Sequence, residues 1–273
     1  MLKTSFIMGI LGLTVAGVLL SQCAPFRKKP GPTASINPQN QGTMPPGSGG
    51  MRLSYNKVAA PGPFIAMTFD DGPHPSLTPR LLDILRQRNI RATFYVVGNR
   101  VGEFSGAARR IAADGHEFGN HTWTHPLAPS RWADAPLRNE LQRTHDAILR
   151  VTGGVAKSYR PPGGSVNPHQ KQWIFNEFGY PTILWAVDPN DWKRPGPSVV
   201  TQRILAATRP GYIVLAHDIH PGTIEAMPAT LDGLLARGYR FVTVSQLIAL
   251  EQHRLATIEQ PRQFSASFSP GGY

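Results

Sequence analysis

Residues 63–73 read Pro-Phe-Ile-Ala-Met-Thr-Phe-Asp-Asp-Gly-Pro, a short apolar run that ends on two adjacent carboxylates and a Gly-Pro turn. An apolar run of this length, bounded by turn formers, reads as a strand over 64–69. Similar runs recur at 92–97, 181–187, 212–216 and 240–244, with helix-period segments between them. Thr78-Pro79 opens one such segment, which carries Leu81, Leu82 and Leu85 on one face and ends near Asn89. Segments 137–151, 170–178, 199–208 and 224–237 follow the same pattern. A strand followed by a helix, repeated, implies parallel strands buried on both faces, and so either an open doubly wound sheet or a closed barrel. No glycine-rich phosphate or dinucleotide loop follows the first strand, which disfavours a nucleotide-binding version.

The 273 residues, 41% of them hydrophobic, suffice for one domain with a substantial core and something attached. Collagen, coiled coil and a wholly disordered chain are excluded. A single cysteine, Cys23, permits no internal disulfide, so a disulfide scaffold is excluded as well. The formal net charge of +11 suggests an anionic partner, but its placement weakens that inference. Lys3, Arg27, Lys28, Lys29, Arg52 and Lys57 are the charged residues of 1–60, with no acidic residue among them, so the remainder is only mildly basic. No nucleic-acid recognition motif is present, and no nucleic-acid partner is expected.

At the N-terminus Lys3 precedes an apolar run over 6–20, shorter than the roughly 20 residues of a spanning helix. A targeting signal is therefore expected over 1–23. Leu20-Ser21-Gln22-Cys23 resembles the lipobox of bacterial lipoproteins, although Gln22 stands where a small residue is usual. The resemblance implies lipidation of Cys23 and an exported protein anchored to the membrane of the cell envelope; ordinary secretion and an uncleaved anchor are the alternatives. Residues 24–60, rich in Pro, Gly, Ser, Asn and Gln, read as a flexible tether. The folded domain is expected over 61–252, and a polar, disordered tail over 253–273.

The residues that carry chemistry lie just after expected strands. Two adjacent carboxylates, Asp70 and Asp71, repel at a buried strand end unless a cation neutralises one of them. The same Asp-Asp-Gly-Pro also describes a simple turn capped by Asp. His121-Thr122-Trp123-Thr124-His125 offers two histidines four apart, which can face one way and ligate one ion, though this spacing is also common by chance. Joined with an Asp they make a three-ligand set that leaves positions for water and substrate, an arrangement that is catalytic rather than structural. Tyr159-Arg160-Pro161-Pro162-Gly163-Gly164, Asp188-Pro189-Asn190-Asp191-Trp192 and Leu215-Ala216-His217-Asp218 follow in order. Each places a titratable residue at an expected strand end, beside turn formers.

In this order and spacing, TFDDGP, HTWTH, RPPGG, DPNDW and LAHD resemble the five motifs of the NodB-like polysaccharide deacetylases, carbohydrate esterase family 4. The resemblance covers about residues 61–250. It implies a distorted (β/α) barrel of about seven parallel strands and the metal-dependent removal of acetyl groups from N-acetylated sugars in polymers. On these positions it implies that Asp71, His121 and His125 hold a divalent metal, zinc first and cobalt, nickel or manganese as alternatives. Asp70 would be the base toward water and His217 the acid toward the amine. Arg160 would pair with Asp70, and Asp191 with His217. A backbone N–H near Gly163 would meet the oxyanion, while Trp192 and Leu215 would wall the acetyl pocket. The family often has Tyr where Gly163 stands, so one groove wall here lacks an aromatic ring.

An enveloped, anchored deacetylase points to peptidoglycan as partner, with N-acetylglucosamine as the sugar, and the protein is expected to be a monomer. Poly-N-acetylglucosamine or chitin-type oligomers, an O-acetyl ester substrate, and a non-catalytic wall-binding lipoprotein are the rival readings. The six other histidines, His74, His116, His145, His169, His220 and His253, are expected in turns, packing or on the surface, with His220 the one closest to His217 in sequence.

Overall fold

The computed structural model describes the backbone of residues 52–265 and the side chains of 52–257. The targeting segment, Cys23, residues 24–51 of the tether and residues 266–273 lie outside the described residues. In chain order the elements are β1 (Ser54–Tyr55), β2 (Phe64–Asp70), α1 (Leu77–Gln87), β3 (Thr93–Val96), α2 (Gly98–Glu103), α3 (Ser105–Ala113), β4 (Glu117–Asn120) and α4 (Asp134–Thr152). There follow α5 (Pro168–Phe178), β5 (Thr182–Ile183), α6 (Pro197–Ala207), β6 (Ile213–His217), α7 (Pro221–Ala236), β7 (Arg240–Phe241) and α8 (Val244–Ser265). Among the described residues no helix is long and apolar enough to cross a membrane.

Strand β2 is the centre of the sheet. It pairs in parallel with β3 and β6 over its carboxyl half, and with β7 at Phe64 and Ile65; β3 pairs on to β4. Parallel bridges then carry the pairing from Asn120 to Tyr159, from Tyr159 to Thr182 of β5, and from Val187 to Val214 of β6. The pairing returns to β6 and closes a ring. Of the two architectures compatible with alternating strands and helices, the chain adopts the barrel, distorted because one side is held by single bridges and two-residue strands.

Alternation along β2 shows why its sequence is apolar throughout. Ile65, Met67 and Phe69 face outward into a cluster with Leu81, Leu82 and Leu85 of α1 and Met227, Leu231 and Leu234 of α7. Ala66 belongs instead with Tyr95, Ile183 and Ile213, a cluster that Val244, Leu247 and Ile248 of α8 complete. Each fully buried Leu or Ile contributes about 1.5–3 kcal/mol. Val244 N–H donates to Thr93 Oγ1 at the start of β3, so α8 covers the amino ends of the strands. The carboxyl ends, with Asp70 and His217 opposite each other in register, are left for chemistry.

The boundaries differ from expectation at both ends. Residues 52–60, assigned to the tether, are part of the fold: Tyr55 and Val58 are buried, and Glu251 of α8 binds Arg52 Nη2 at 2.6 Å and the Ala59 N–H at 2.8 Å. At the other end α8 continues past 252 to Ser265 rather than giving way to an irregular tail at 253. Strand β4 and helices α2 and α3 were not expected. Strand β4 carries Glu117 and Gly119 in place of an apolar run, and Glu117 is buried because Thr93 Oγ1 donates to it at 3.0 Å and the Ser245 hydroxyl also donates to it.

Gly119 has a definite reason to be glycine: a Cβ there would overlap the ring of Tyr95 on β3. Gly119→Ala is therefore expected to lower stability by about 1–3 kcal/mol by overpacking, read as a drop in the urea midpoint.

Candidate active site

The convergence starts with one backbone torsion. Asp70 is the last residue of β2, and on a continuing strand Asp71 would point to the opposite face. Asp71 instead has φ 73°, in the left-handed region, which turns its carboxylate toward the same mouth. Its Oδ1 lies 3.3 Å from His121 Nε2 and 3.3 Å from His125 Nε2. His121 and His125 are not on a helix face, because the segment after β4 is irregular, with Thr122 at φ 66° and His125 at φ 58°. Those two torsions bring the rings together, 5.0 Å between centroids.

The group fits a cation. Asp71 Oδ1 is buried without a hydrogen-bond donor, and the three ligand atoms lie within 4.8 Å of one another. His121 Nδ1 donates to the Arg160 carbonyl oxygen at 2.7 Å, so Nε2 is the atom turned toward Asp71 and available to an ion. Without an ion bound, burial acts to raise the Asp71 carboxyl, and positive charge and hydrogen bonding from the imidazoles, His121 first and then His217 and His125, outweigh it, holding the group well below the ordinary carboxylate range. His125 is lowered by burial and by His121, which favours its neutral form. Oxygen and imidazole nitrogen in this number suit a divalent ion with open positions.

Beside this group stand two ion pairs of opposite sense. Arg160 is fully buried and donates from Nη1 to Asp70 Oδ1 at 2.7 Å and to Thr68 Oγ1 at 2.7 Å. Its Nε donates to the Ile183 carbonyl and its Nη2 to that of Leu184, and its guanidinium stacks 4.0 Å from the Tyr95 ring centroid. His217, the last residue of β6, donates from Nδ1 to Asp191 Oδ1 at 2.8 Å, and its backbone N–H donates to Asp191 Oδ2 at 2.8 Å. Burial alone would depress His217, but Asp191, with Asp70 and Asp71 behind it, pushes it up to about 9. At neutral pH this imidazole is protonated.

All of this opens on one cavity of about 650 Å³, lined by Asp70, Asp71, His121, His125 and His217. Its walls include Gly163, Trp185, Trp192 and Leu215. Leu215 is buried, whereas Trp192 is 51% exposed on the rim. Gly163 has φ 60° and open space where a Cβ would stand, so the wall is bare there. Arg160 and Asp191 act behind the surface, through Asp70 and His217. Every site residue expected from the sequence within the described residues is thus gathered at one mouth; Cys23 lies outside them.

Residues 57–183 match the family described as polysaccharide deacetylase. A Bacillus cereus peptidoglycan-N-acetylglucosamine deacetylase is 39% identical over 191 residues, 67% of this chain and 87% of the relative. The chain belongs to the polysaccharide deacetylase family. A Listeria monocytogenes peptidoglycan-N-acetylglucosamine deacetylase is 41% identical over 183 residues, 67% of this chain, and the chain spans only 38% of that relative's length. Among solved structures, a carbohydrate esterase family 4 pseudoenzyme from Bacillus anthracis is 31% identical with a TM-score of 0.67, covering 71% of this chain and 68% of that one. The barrel is therefore the family's distorted barrel.

Several residues of this deacetylase-family site were given no role in the sequence reading, although Asp218 stands within the LAHD motif. Thr223, in the first turn of α7, donates to Asp191 Oδ2 at 2.7 Å. Asp218 is fully buried beneath the Gly72 turn, where it accepts from the Thr78 hydroxyl. Burial, against Thr78 and with Asp71 and Asp70, pushes Asp218 up to about 7. Glu140 of α4 accepts from the loop between the two histidines. Of the remaining histidines, His116 is buried, with Nδ1 accepting from the Ala92 N–H and its pKa pushed down to about 4 by burial and Arg91. His220 lies 5.9 Å from the His217 ring but lines the neighbouring hollow with Arg194.

Because the His217 pKa is raised above its unfolded value, its pairing stabilises the fold fully below about 6.5, and that contribution is lost as pH rises through about 9. An NMR titration of metal-free protein is expected to place His217 near 9, and Asp191→Asn to return it toward 6.5.

Proposed function

We propose that the chain is a metal-dependent de-N-acetylase acting on N-acetylglucosamine of peptidoglycan, with zinc as its ion. One observation carries this reading: a three-ligand group, a carboxylate fixed by a guanidinium and an imidazole kept protonated by a carboxylate share a single cavity. The Bacillus anthracis neighbour is named a pseudoenzyme, so the fold alone does not decide activity; the complete set of groups supports it here.

Zinc on Asp71, His121 and His125 would supply a Lewis acid for the acetamide carbonyl and a lowered pKa for water. Arg160 holds Asp70 through Oδ1 and leaves Oδ2, 3.8 Å from His121 Nε2, to take a proton as water attacks the carbonyl carbon. The carbonyl electron pair moves onto oxygen, where a backbone N–H near Gly163 would be worth about 3 kcal/mol. His217, anchored through Nδ1, gives its proton from Nε2 to the amine nitrogen as the C–N bond breaks. Acetate and a free amino sugar result. Trp192, Leu215 and Trp185 form the apolar wall that accepts the acetyl methyl.

The relatives' names support peptidoglycan as the polymer. Purified protein is expected to release acetate from peptidoglycan sacculi, and chelator to abolish it. Release from N-acetylglucosamine oligomers alone would move the substrate to an exported glycan, and zinc-loaded protein silent on both would overturn the reading. Asp70→Asn is expected to keep zinc and lose on the order of 10²–10⁴ in turnover, while His121→Ala loses both.

We also propose that the protein is a monomer of the cell envelope, exported and anchored through Cys23 ahead of the tether; the targeting run over 6–20 and the Leu-Ser-Gln-Cys stretch support the anchor. Metabolic labelling with a fatty-acid analogue is expected to mark the membrane fraction and to be lost in Cys23→Ser.

A further inference from the structure

The two histidines of the proposed metal site are joined by a loop whose conformation is costly in itself. Thr122 and His125 both occupy the left-handed region, which is unfavourable for a β-branched or bulky residue and persists only where the surroundings impose it. The loop is held from two sides: the Gly98 and Asn99 N–H groups of α2 donate to the Thr122 and Trp123 carbonyls at 2.9 and 3.2 Å, and α4 supplies a side chain. Glu140 Oε2 accepts the Trp123 N–H at 2.8 Å and the Thr124 N–H at 2.7 Å. The Thr124 hydroxyl donates to both carboxylate oxygens, at 3.0 and 3.1 Å. Asn120 closes the other side, with Oδ1 accepting the Thr122 N–H at 3.0 Å and Nδ2 donating to the Leu141 carbonyl at 2.9 Å.

Glu140 is buried, and among the described residues no lysine, arginine or histidine pairs with it. A carboxylate taken out of water without a cation is strongly penalised unless hydrogen-bond donors answer it. Here its charge is answered by two backbone amides and one hydroxyl, all belonging to the residues between His121 and His125. Among the described residues no other group donates a hydrogen bond to this carboxylate.

We propose that Glu140 is a positioning residue for the metal site: its hydrogen bonds from two amides and one hydroxyl help hold the 121–125 loop in the conformation that sets both Nε2 atoms 3.3 Å from Asp71 Oδ1. The inference rests on the reading of Asp71, His121 and His125 as metal ligands. Outer groups that orient ligands typically control 10–100-fold in metal affinity.

The test is zinc affinity of the full chain, measured by competition with a chromophoric chelator, for wild type, Glu140→Ala and Glu140→Gln. Glu140→Ala is expected to bind zinc about 10–100-fold more weakly, with acetate release restored in part at saturating zinc. Glu140→Gln keeps a carbonyl oxygen for the two amides and is expected within about 5-fold of wild type. Affinity of Glu140→Ala within about 2-fold of wild type overturns the inference, as does an equal loss in Gln and Ala, which would make charge rather than loop geometry the cause. If Glu140→Ala does not fold, Thr124→Val removes only the hydroxyl bonds and is expected to weaken zinc about 3-fold or more, unchanged affinity again overturning it. A wild-type chain that takes up no zinc overturns the metal reading itself, and this inference with it.

Discussion

Two carboxylates on consecutive residues at the buried end of the central strand set the terms for everything around them. Left side by side, Asp70 and Asp71 would repel in a medium of low polarity, and each would carry an unanswered desolvation cost. The chain separates their environments instead. Asp70 keeps strand geometry and meets Arg160, whereas Asp71 turns through a positive φ and meets two imidazoles. Arg160 can be wholly buried only because Asp70, Thr68 and two carbonyls use its donors and the Tyr95 face lies against it. Gly119 in turn leaves room for that ring. A line of dependence thus runs from the paired carboxylates through Arg160 and Tyr95 to the choice of residue on β4.

The second pair answers a different need. His217 lies opposite Asp70 in register, so a neutral imidazole there would leave the mouth strongly anionic. Asp191 holds it cationic, and Asp191 is itself fixed by His217 N–H and Thr223. Charge therefore alternates around the mouth, from guanidinium to carboxylate to the proposed cation site, and from imidazolium to carboxylate. This alternation is what lets a site of the proposed kind keep a base ionised and an acid protonated at one pH.

The motif residues could be read from the sequence because their types are dictated by chemistry and their places by strand ends. Asp70, Asp71, His121, His125, Arg160, Asp191 and His217 all lie at an expected strand end or beside a turn former, and the structure brings them to one mouth. Strand β4 was not legible, since Glu117 and Gly119 interrupt the apolar pattern and are justified only by Thr93, Ser245 and Tyr95, residues distant in sequence. Glu140 was not legible for a related reason. Its partners are backbone amides, which carry no residue signature, and on an amphipathic helix an isolated Glu reads as solvent-facing. The inclusion of residues 52–60 in the fold depends likewise on Glu251, contributed by the far end of the domain.

The backbone torsions explain why local rules fail where the chemistry is. Asp71, Thr122, His125, Ala128, Asn190 and Arg194 all have positive φ without being glycine, and all belong to segments that line or flank the cavity; Asn89, at the end of α1, is the exception. Left-handed residues of this kind persist when surrounding structure over-determines them. The barrel supplies that excess: β2 is buried on both faces, α8 covers one end, and α4 and α7 each send a side chain, Glu140 and Thr223, into the strained segments. Propensity and periodicity therefore describe the scaffold well and the loops poorly, because the loops owe their shape to the scaffold rather than to their own residues.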